Sequence, residues 1–429
     1  MTNKKKSKLS QTSAAESPQL SSTHQTVFRR VLVTDPDETA ALWARVRGAK
    51  PAKKRGGGRG RGRGRGGRVE EGQQNVPQGD EIEELEDQTA ILTVDDDGQS
   101  KTTRITVHSG NFESLVLLPW KIFEEENHNE ITDDAFPHFG TSPPPEGDIE
   151  GLDAAEVWLS FSNAQVDRIS EEYQFMKNKR VCKQEYALFA MDTFFRRQSR
   201  CLVTPTDRKW RAERMTQLFV PPTEEPKNSF WIMPPSFEAS KKFKFDLRPD
   251  CSYWLSLAGF DPEYRCELGN AMYVHDDDWI TCPYFTIEFK KHGQSIDQAT
   301  RQASAAASIA LYNRYLLKNK ALAVRAESWT NVDRAQMKHY MMTFVGAKYT
   351  VLVLRARYKD LSTWDGCSIM SICKSTSITS PGVRKLEGWI NEIHRWGLTA
   401  HAAGCQADAK TILQHKRIRT SAIQPDATG

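Results

Sequence analysis

The chain has 429 residues, of which 38% are hydrophobic and 27% charged, and its mean hydropathy is −0.60. So low an apolar content predicts that part of the chain does not join a packed core. The formal charge of +4 is a small difference between 59 basic and 55 acidic residues, so net charge alone does not indicate a nucleic-acid partner. The eight cysteines include no CxxC pair, which argues against a zinc finger or a secreted disulfide framework.

The N-terminal lysines are followed by Ser, Thr and Gln, where a signal peptide needs an apolar stretch. Nowhere does the sequence approach the roughly eighteen consecutive apolar residues of a membrane span. We therefore expect an intracellular protein without a membrane segment.

Residues 1–90 are rich in Ser, Gln, Gly and charge, which predicts a disordered arm. Within it, the run KKRGGGRGRGRGRGGR carries eight positive side chains in sixteen residues and no acid. We expect this run to bind nucleic acid and to act as a nuclear import signal, the alternative being a solvated linker. Its basic residues are Lys53, Lys54, Arg55, Arg59, Arg61, Arg63, Arg65 and Arg68.

Beyond the arm, the short apolar runs at 91–94 and 115–118 predict an irregular extension with short strands over 91–150. The main domain is expected at 151–400, followed by a C-terminal helix end and tail at 401–429. Its apolar periodicity predicts a helix at 154–197 with a break near Asn178, then strands at 230–233, 243–257 and 284–290, an alanine-rich helix at 296–318, strands at 340–344 and 349–355, and a helix at 383–396.

This mixture of helices and partly continuous apolar strands predicts an α/β domain with a mixed sheet covered by helices. The apolar stripe of Trp389, Ile393 and Trp396 has helical spacing and is expected in the core.

In the strand predicted at 284–290, apolar side chains alternate with polar ones. Strand side chains project to opposite faces with a period of two, so Phe285, Ile287 and Phe289 share one face. Glu288 and Lys290 lie together on the other face. A carboxylate there can hold a hard divalent cation, and an ammonium group can orient the attacking water or stabilise charge on phosphorus.

A second carboxylate is needed to share the cation, and Asp250 supplies one just before a strand-like segment. An acid-x-Lys tripeptide arises readily by chance, so it indicates a site only where it lies in an alternating strand that a helix follows. Three further matches, at 207–209, 225–227 and 408–410, lack an alternating strand followed by a helix.

The helix after Lys290 has a capping-box start, with Ser295 as N-cap and Gln298 three residues later. Gln302 lies one turn beyond Gln298 among alanines. It has no such capping task and is a candidate to reach a metal-bound water or a phosphate.

The wording RPDCSYWLSL, then CPYFTIEFKKHGQSIDQATRQASAAASIAL, resembles the PD-(D/E)XK, restriction-endonuclease-like superfamily, most closely the nuclease-like domains of uncharacterised fungal proteins. The resemblance covers 155–400 and implies an αβββαβ core with Mg²⁺ (or Mn²⁺) as cofactor. It places Asp250, Glu288 and Lys290 at the motif positions, with the two carboxylates as metal ligands. The segment 260–278 between the motifs is longer than a hairpin requires.

The family also has a first-helix glutamate, for which Glu185 is the candidate. Val181, Cys182, Leu188 and Phe189 occupy the same helical face and would place this carboxylate at the buried side. The alternative is a carboxylate at the rim.

Two weaker candidates have plainer interpretations. The run 275–278, His-Asp-Asp-Asp, is a metal site or, more simply, a solvated turn. His292 is a phosphate contact or a cap for the strand.

The resulting hypothesis is Mg²⁺-dependent phosphodiester hydrolysis of nucleic acid, with DNA favoured. In one alternative, the protein has the same fold but no catalytic activity, and it serves as a binding or scaffold module in chromatin or RNA metabolism. A selfish or toxin-like genetic element is the third.

Overall fold

The computed structural model describes residues 105–107, 109–125, 155–198, 211–223, 231–235, 246–275, 277 and 279–423. The predicted arm with its eight basic residues, and the apolar run 91–94, lie outside these residues. Among the helices of the described ranges, none has both the length and the apolar character needed to cross a bilayer.

The described strands form one mixed sheet in the order β1-β8-β7-β6-β5-β3-β2, with β4 pairing to β5 at the side. The pairs β5/β6 and β1/β8 are parallel, and the other pairs are antiparallel. The strands are β1 Ile122–Glu124, β2 Ala212–Met215, β3 Cys251–Ser256, β4 Val274–His275, β5 Ile280–Lys290, β6 Lys338–Val345, β7 Lys348–Tyr358 and β8 Trp364–Thr376.

Helices flank this sheet, and the expected α/β class with a mixed sheet is confirmed. They are α1 Asn163–Lys179, α2 Lys183–Thr193, α3 Ile296–Arg325, α4 Asn331–Gln336, α5 Ser380–Trp396 and α6 Ala402–Ile423. Short π-helical turns occupy Glu113–Leu117 and Gly397–His401, and 3-10 turns occupy Leu257–Gly259 and Arg265–Asn270.

The sheet separates two apolar clusters. One contains Phe285, Ile287 and Phe289 of β5 together with buried residues of α1, α2 and α5. The other contains the alanine-rich part of α3, Trp254 and Met341. The predicted alternation along β5 is therefore confirmed, and the second face of this strand lies under α3.

Local signals explain where several elements begin and end. Ser162 and Gln165 form a capping box at the start of α1, and Arg180 ends that helix in a left-handed conformation. The helix predicted from 154 therefore starts at Asn163, and its break lies two residues after Asn178. Ser295 is the N-cap of α3, as expected, but its hydroxyl accepts a hydrogen bond from the Asp297 amide and does not complete the expected capping box with Gln298.

Other expectations needed correction. The strand expected at 230–233 is reduced, in its described part, to an isolated bridge of Ile232 with Thr223. In the described part of the strand expected at 243–257, which starts at residue 246, the strand begins at Cys251, because Pro249 has no amide hydrogen for a ladder and restricts the residue before it. The apolar run 115–118 contributes to a π-helical turn. The strands β2 and β8 were not predicted.

One glycine controls the approach of β5 to the turn between α5 and α6. A Cβ at Gly397 would overlap the ring of Tyr284, whose hydroxyl lies 2.9 Å from His394 Nδ1. Gly397→Ala is therefore expected to lower the free energy of unfolding by about 1–3 kcal/mol, measured by urea denaturation. Gly269→Ala is the control, since a Cβ there meets nothing within 4 Å. Equal losses in both variants would contradict this explanation.

Candidate functional site

Asp250 and Glu288 face each other across the β3–β5 pair. Cys251 pairs with Ile287, so the next step outward along both strands sets Asp250 opposite Glu288. The Asp250 amide donates to Glu288 Oε2 at 3.4 Å. The two carboxylates predicted to share a cation therefore lie at the same end of neighbouring strands.

Lys290 extends this arrangement along β5. It lies two residues after Glu288, hence on the same face, with its Nζ 3.6 Å from Glu288 Oε1. Asp250, Glu288 and Lys290 are all at most 6% exposed. Charged groups buried to this extent are uncommon outside paired or functional sites.

A cavity of about 220 Å³ brings these groups together with the helix that follows them. Gln302 of α3 lines it and is buried. Four of the five residues predicted for the catalytic site, namely Asp250, Glu288, Lys290 and Gln302, therefore line one cavity. Lys183 and Gln217 also line it.

The Asp250 carboxylate is held by donors on both oxygens. Oδ2 accepts from the Phe289 amide at 2.8 Å, and Oδ1 accepts from Gln217 Nε2 at 2.7 Å. Lys183 Nζ lies 2.9 Å from each carboxylate oxygen. Hydrogen bonds to an ionised carboxylate are strong, so this network fixes the orientation of Asp250.

The electrostatics of the cavity favour protonation of one carboxylate. Burial, reinforced by repulsion from Asp250, raises the pKa of Glu288 to about 8, although Lys290 and Lys183 partly offset this. Burial also lowers the pKa of Lys290, against the attraction of Glu288. Without a cation, Glu288 therefore carries a proton near neutral pH.

Glu185 does not join the site as expected. It is exposed on α2, and Leu188, which was expected on the same buried face, is 56% exposed. The helix instead buries Tyr186, Ala187 and Ala190, so the carboxylate of Glu185 faces away from the core. The predicted burial of Glu185 is wrong, and Lys183 is the residue of this helix that reaches Asp250.

Sequence reasoning missed Lys183 and Gln217. A lysine in the first turn of a helix is unfavourable for the helix dipole, so Lys183 carried a weak signal of a special role. Gln217 follows β2 with a φ of 52°, and its amide donates to the Pro249 carbonyl at 3.2 Å. No sequence pattern marks that position.

The cavity holds oxygen donors of the kind that a hard divalent cation prefers. Within the described ranges, no group of three or more His, Cys, Asp or Glu is placed to hold a metal. The cavity offers the carboxylates of Asp250 and Glu288 and the amide oxygen of Gln302. Two carboxylates completed by water suit Mg²⁺, which keeps several waters in protein sites, and such oxygen ligands also suit Mn²⁺. A cation on Asp250 would have to replace the contact of Lys183.

The described residues of the two weaker candidates do not line the cavity. His275 and Asp277 belong to no metal-holding group among the described residues, and residues 276 and 278 lie outside them. His292 lies beside Gly346. A Cβ added to that glycine would lie 3.1 Å from the Cβ of His292.

Two further patterns belong to the interior. The stripe of Trp389, Ile393 and Trp396 is buried, as predicted. Asp408, from one of the chance acid-x-Lys matches, is buried and pairs with Arg314 at 2.8 Å. Both patterns are structural in this fold.

Comparisons of the chain with protein-family models, with curated proteins and with solved structures found no match. The functional assignment therefore depends on the chemistry of the cavity and on its position in the sheet.

Proposed function

We propose that this cavity is the active site of a Mg²⁺-dependent nuclease with a restriction-endonuclease-like core. One observation carries the proposal. Asp250, Glu288, Lys290 and Gln302 come from β3, β5 and α3, yet they line a single buried cavity. The chain order α2, β2, β3, β5, α3, β6 supports it, because it follows the αβββαβ order that the resemblance implies, with two short elements added: the two-residue β4 beside β5 and the six-residue helix α4 before β6.

Each residue has a role in this proposal. Asp250 and Glu288 would hold the cation, and the Phe289 amide keeps Asp250 in place by donating to its carboxylate. When bound, Mg²⁺ (or Mn²⁺) would supply Lewis acidity toward the phosphate and toward the attacking water. Lys290 orients the attacking water or stabilises the charge that develops on phosphorus. Gln302 positions a water or a phosphate oxygen by hydrogen bonding.

The charge balance of the cavity supports an anionic substrate once a cation is present. The formal charges along its lining cancel, and Arg248 pairs with Asp246 at 2.6 Å. A divalent cation would leave a positive site, as binding of a phosphodiester requires. The charged residues of the lining are Lys183, Asp246, Arg248, Asp250, Glu288 and Lys290.

The second candidate is a nuclease-fold module that binds or scaffolds without catalysis. The observation that favours it is the ion pair of Lys183 with both oxygens of Asp250, which neutralises one ligand without a metal. A cleavage assay with Mg²⁺ on plasmid, single-stranded DNA and RNA separates the two, with the wild type beside Glu288→Ala. Binding without any Mg²⁺-dependent cleavage would favour the scaffold module.

Lys183 is expected to compete with the cation for Asp250. Lys183→Ala should therefore bind Mg²⁺ about tenfold more tightly, because removing one nearby positive charge is worth about 1.4 kcal/mol or more in a partly solvated site. Isothermal titration calorimetry at pH 8 measures this. Lys348→Ala is the control, since that lysine is exposed at the start of β7. Unchanged or weaker binding in Lys183→Ala would contradict the competition.

The Arg-Gly run of the arm, which lies outside the described residues, is proposed to supply general affinity for nucleic acid, with DNA as the favoured partner in the nucleus. Glycine between arginines lets the guanidinium groups follow an irregular phosphate track. Deleting 53–68 should weaken binding and flatten its salt dependence, since each neutralised phosphate contributes about −0.7 to −0.9 to the slope of log affinity against log salt.

Fluorescence anisotropy over a series of KCl concentrations measures that slope. The matched control keeps the length of the arm and replaces its eight basic residues by glutamine, which should reproduce the deletion. A slope that does not change in either variant would show that the run is only a linker.

A further inference from the structure

An exposed aromatic ring lies beside the proposed active-site cavity, in the segment that follows β2. Phe219 is 40% exposed, and the guanidinium carbon of Arg248 lies over its ring, 4.9 Å from the ring centre. Arg248 lines the cavity, and so does Gln217, two residues before the phenylalanine. The ring is therefore connected to the cavity both along the chain and through a side-chain contact.

The segment that carries Phe219 is anchored to the rest of the fold. Leu218 and Val220, on either side of the phenylalanine, are partly buried against the apolar cluster that contains the alanine-rich part of α3. Gln217 donates from its side chain to the Asp250 carboxylate at 2.7 Å. An exposed ring on an anchored segment loses little conformational freedom when a ligand packs on it, which favours binding.

The guanidinium group beside the ring is also held in place. Arg248 Nε lies 2.6 Å from Asp246 Oδ1, so the ion pair and the contact with Phe219 together orient the side chain. A guanidinium over one face of an aromatic ring is attracted to the electrons of that ring. The pair thus offers a flat apolar surface for stacking next to a positive charge.

These two groups suit a nucleotide whose base is unpaired. Unpaired bases stack on aromatic side chains, whereas the bases inside a duplex are already stacked between their neighbours. Arginine is also well suited to bind phosphate. A base on Phe219 would therefore bring its own phosphate toward Arg248, at the lining of the cavity.

We propose that Phe219 stacks on an unpaired base, so that the proposed active site selects single-stranded over double-stranded nucleic acid. The inference rests on the proposed function, which identifies the ligand as a nucleic acid. Arg248 contacts the phosphate next to the stacked base, and a phosphodiester of the same strand reaches the cavity. Since every base has a π face, this selection depends on strandedness and little on sequence.

The first test measures binding by fluorescence anisotropy, with the full chain and a chelator, so that no cleavage contributes. The probes are a short labelled oligodeoxyadenylate and a duplex of equal length, at a KCl concentration that weakens the contribution of the Arg-Gly run. Phe219→Ala should bind the single strand about tenfold more weakly and the duplex as wild type does. Phe219→Trp should retain single-strand affinity. Equal changes for both probes, or no change for the single strand, would overturn the proposal.

A second phenylalanine provides the matched control. Phe123 is 39% exposed, and the guanidinium carbon of Arg357 lies 5.1 Å from its ring centre, so its surroundings resemble those of Phe219. It belongs to β1, which β8, β7 and β6 separate from β5. Phe123→Ala should therefore leave the affinity for both probes unchanged. A loss equal to that of Phe219→Ala would show that the position beside the cavity has no special role.

A photochemical cross-link locates the base directly. A single-stranded oligonucleotide containing 5-iodouracil is irradiated with the full chain, and mass spectrometry maps the cross-linked peptides. The expected cross-link is at Phe219, and cross-links confined to other peptides would contradict the stacking.

The two proposals can fail separately. A wild type that cleaves nucleic acid, together with an unchanged single-strand affinity in Phe219→Ala, would refute the stacking and leave the nuclease. A wild type that cleaves nothing, together with a selective loss of single-strand binding in Phe219→Ala, would refute the nuclease and support stacking in a binding module.

Discussion

Glu288→Gln is expected to abolish Mg²⁺-dependent cleavage of nucleic acid, by about 10³-fold or more relative to wild type. The amide keeps the size of the side chain but removes the negative charge that would hold the cation opposite Asp250. Asp250→Asn should have an equal effect for the same reason. Lys290→Ala should also abolish cleavage while leaving cation binding in place, because its ammonium acts on water or phosphate.

Initial rates on supercoiled plasmid and on single-stranded DNA measure this loss, with circular dichroism to verify folding. Glu185→Gln is the matched control, because that carboxylate is exposed on α2 and should leave the rate unchanged. Full activity in Glu288→Gln would show that the cavity is not the site of cleavage. A wild type that cleaves no nucleic acid would favour the scaffold alternative.

The second large effect concerns pH and stability without metal. Burial raises the pKa of Glu288 to about 8, above its ordinary value of 4.5. A carboxyl group with a raised pKa in the folded state contributes stability that is complete below its unfolded pKa, here about 4.5. That stability declines as the pH rises and is lost through about pH 8, since the charged form is then buried.

Glu288→Gln carries no such charge and should gain stability relative to wild type as the pH rises from about 4.5 to about 8. We expect a gain of about 2–4 kcal/mol in the free energy of unfolding, constant at higher pH. Urea denaturation between pH 5 and pH 9 with a chelator present measures it. An equal difference between the two proteins at pH 5 and pH 9 would contradict the raised pKa.

Adding Mg²⁺ should raise the free energy of unfolding of the wild type, which without the cation is lower than that of Glu288→Gln at high pH. A cation bound to the folded state alone stabilises it by RT ln(1 + [Mg²⁺]/Kd). Because Glu288 must lose its proton to act as a ligand, the gain should be greatest above pH 8 and absent in Glu288→Gln. A wild type that Mg²⁺ does not stabilise at pH 9 would show that the cavity does not bind this cation.

The amino-acid sequence by itself determined the strand that carries the proposed chemistry. The period-two alternation in β5 is local, so it fixed Phe285, Ile287 and Phe289 on one face and Glu288 with Lys290 on the other. The N-cap at Ser295 and the alanine-rich run located α3 in the same way. The expectation that Asp250 meets Glu288 also agrees with the structure, because both lie at the ends of apolar strands.

Tertiary structure alone decided the rest of the cavity. The short helix α2 has apolar residues on more than one side, so its packing determined that Glu185 is exposed and that Lys183 reaches Asp250. The strand β2 pairs with β3, which lies far along the chain, and β8 pairs with the distant β1 as well as with its neighbour β7. No local pattern encodes such long-range pairing. The pKa of Glu288 likewise depends on burial under α3 and on a carboxylate 38 residues away, and both follow from the folded arrangement.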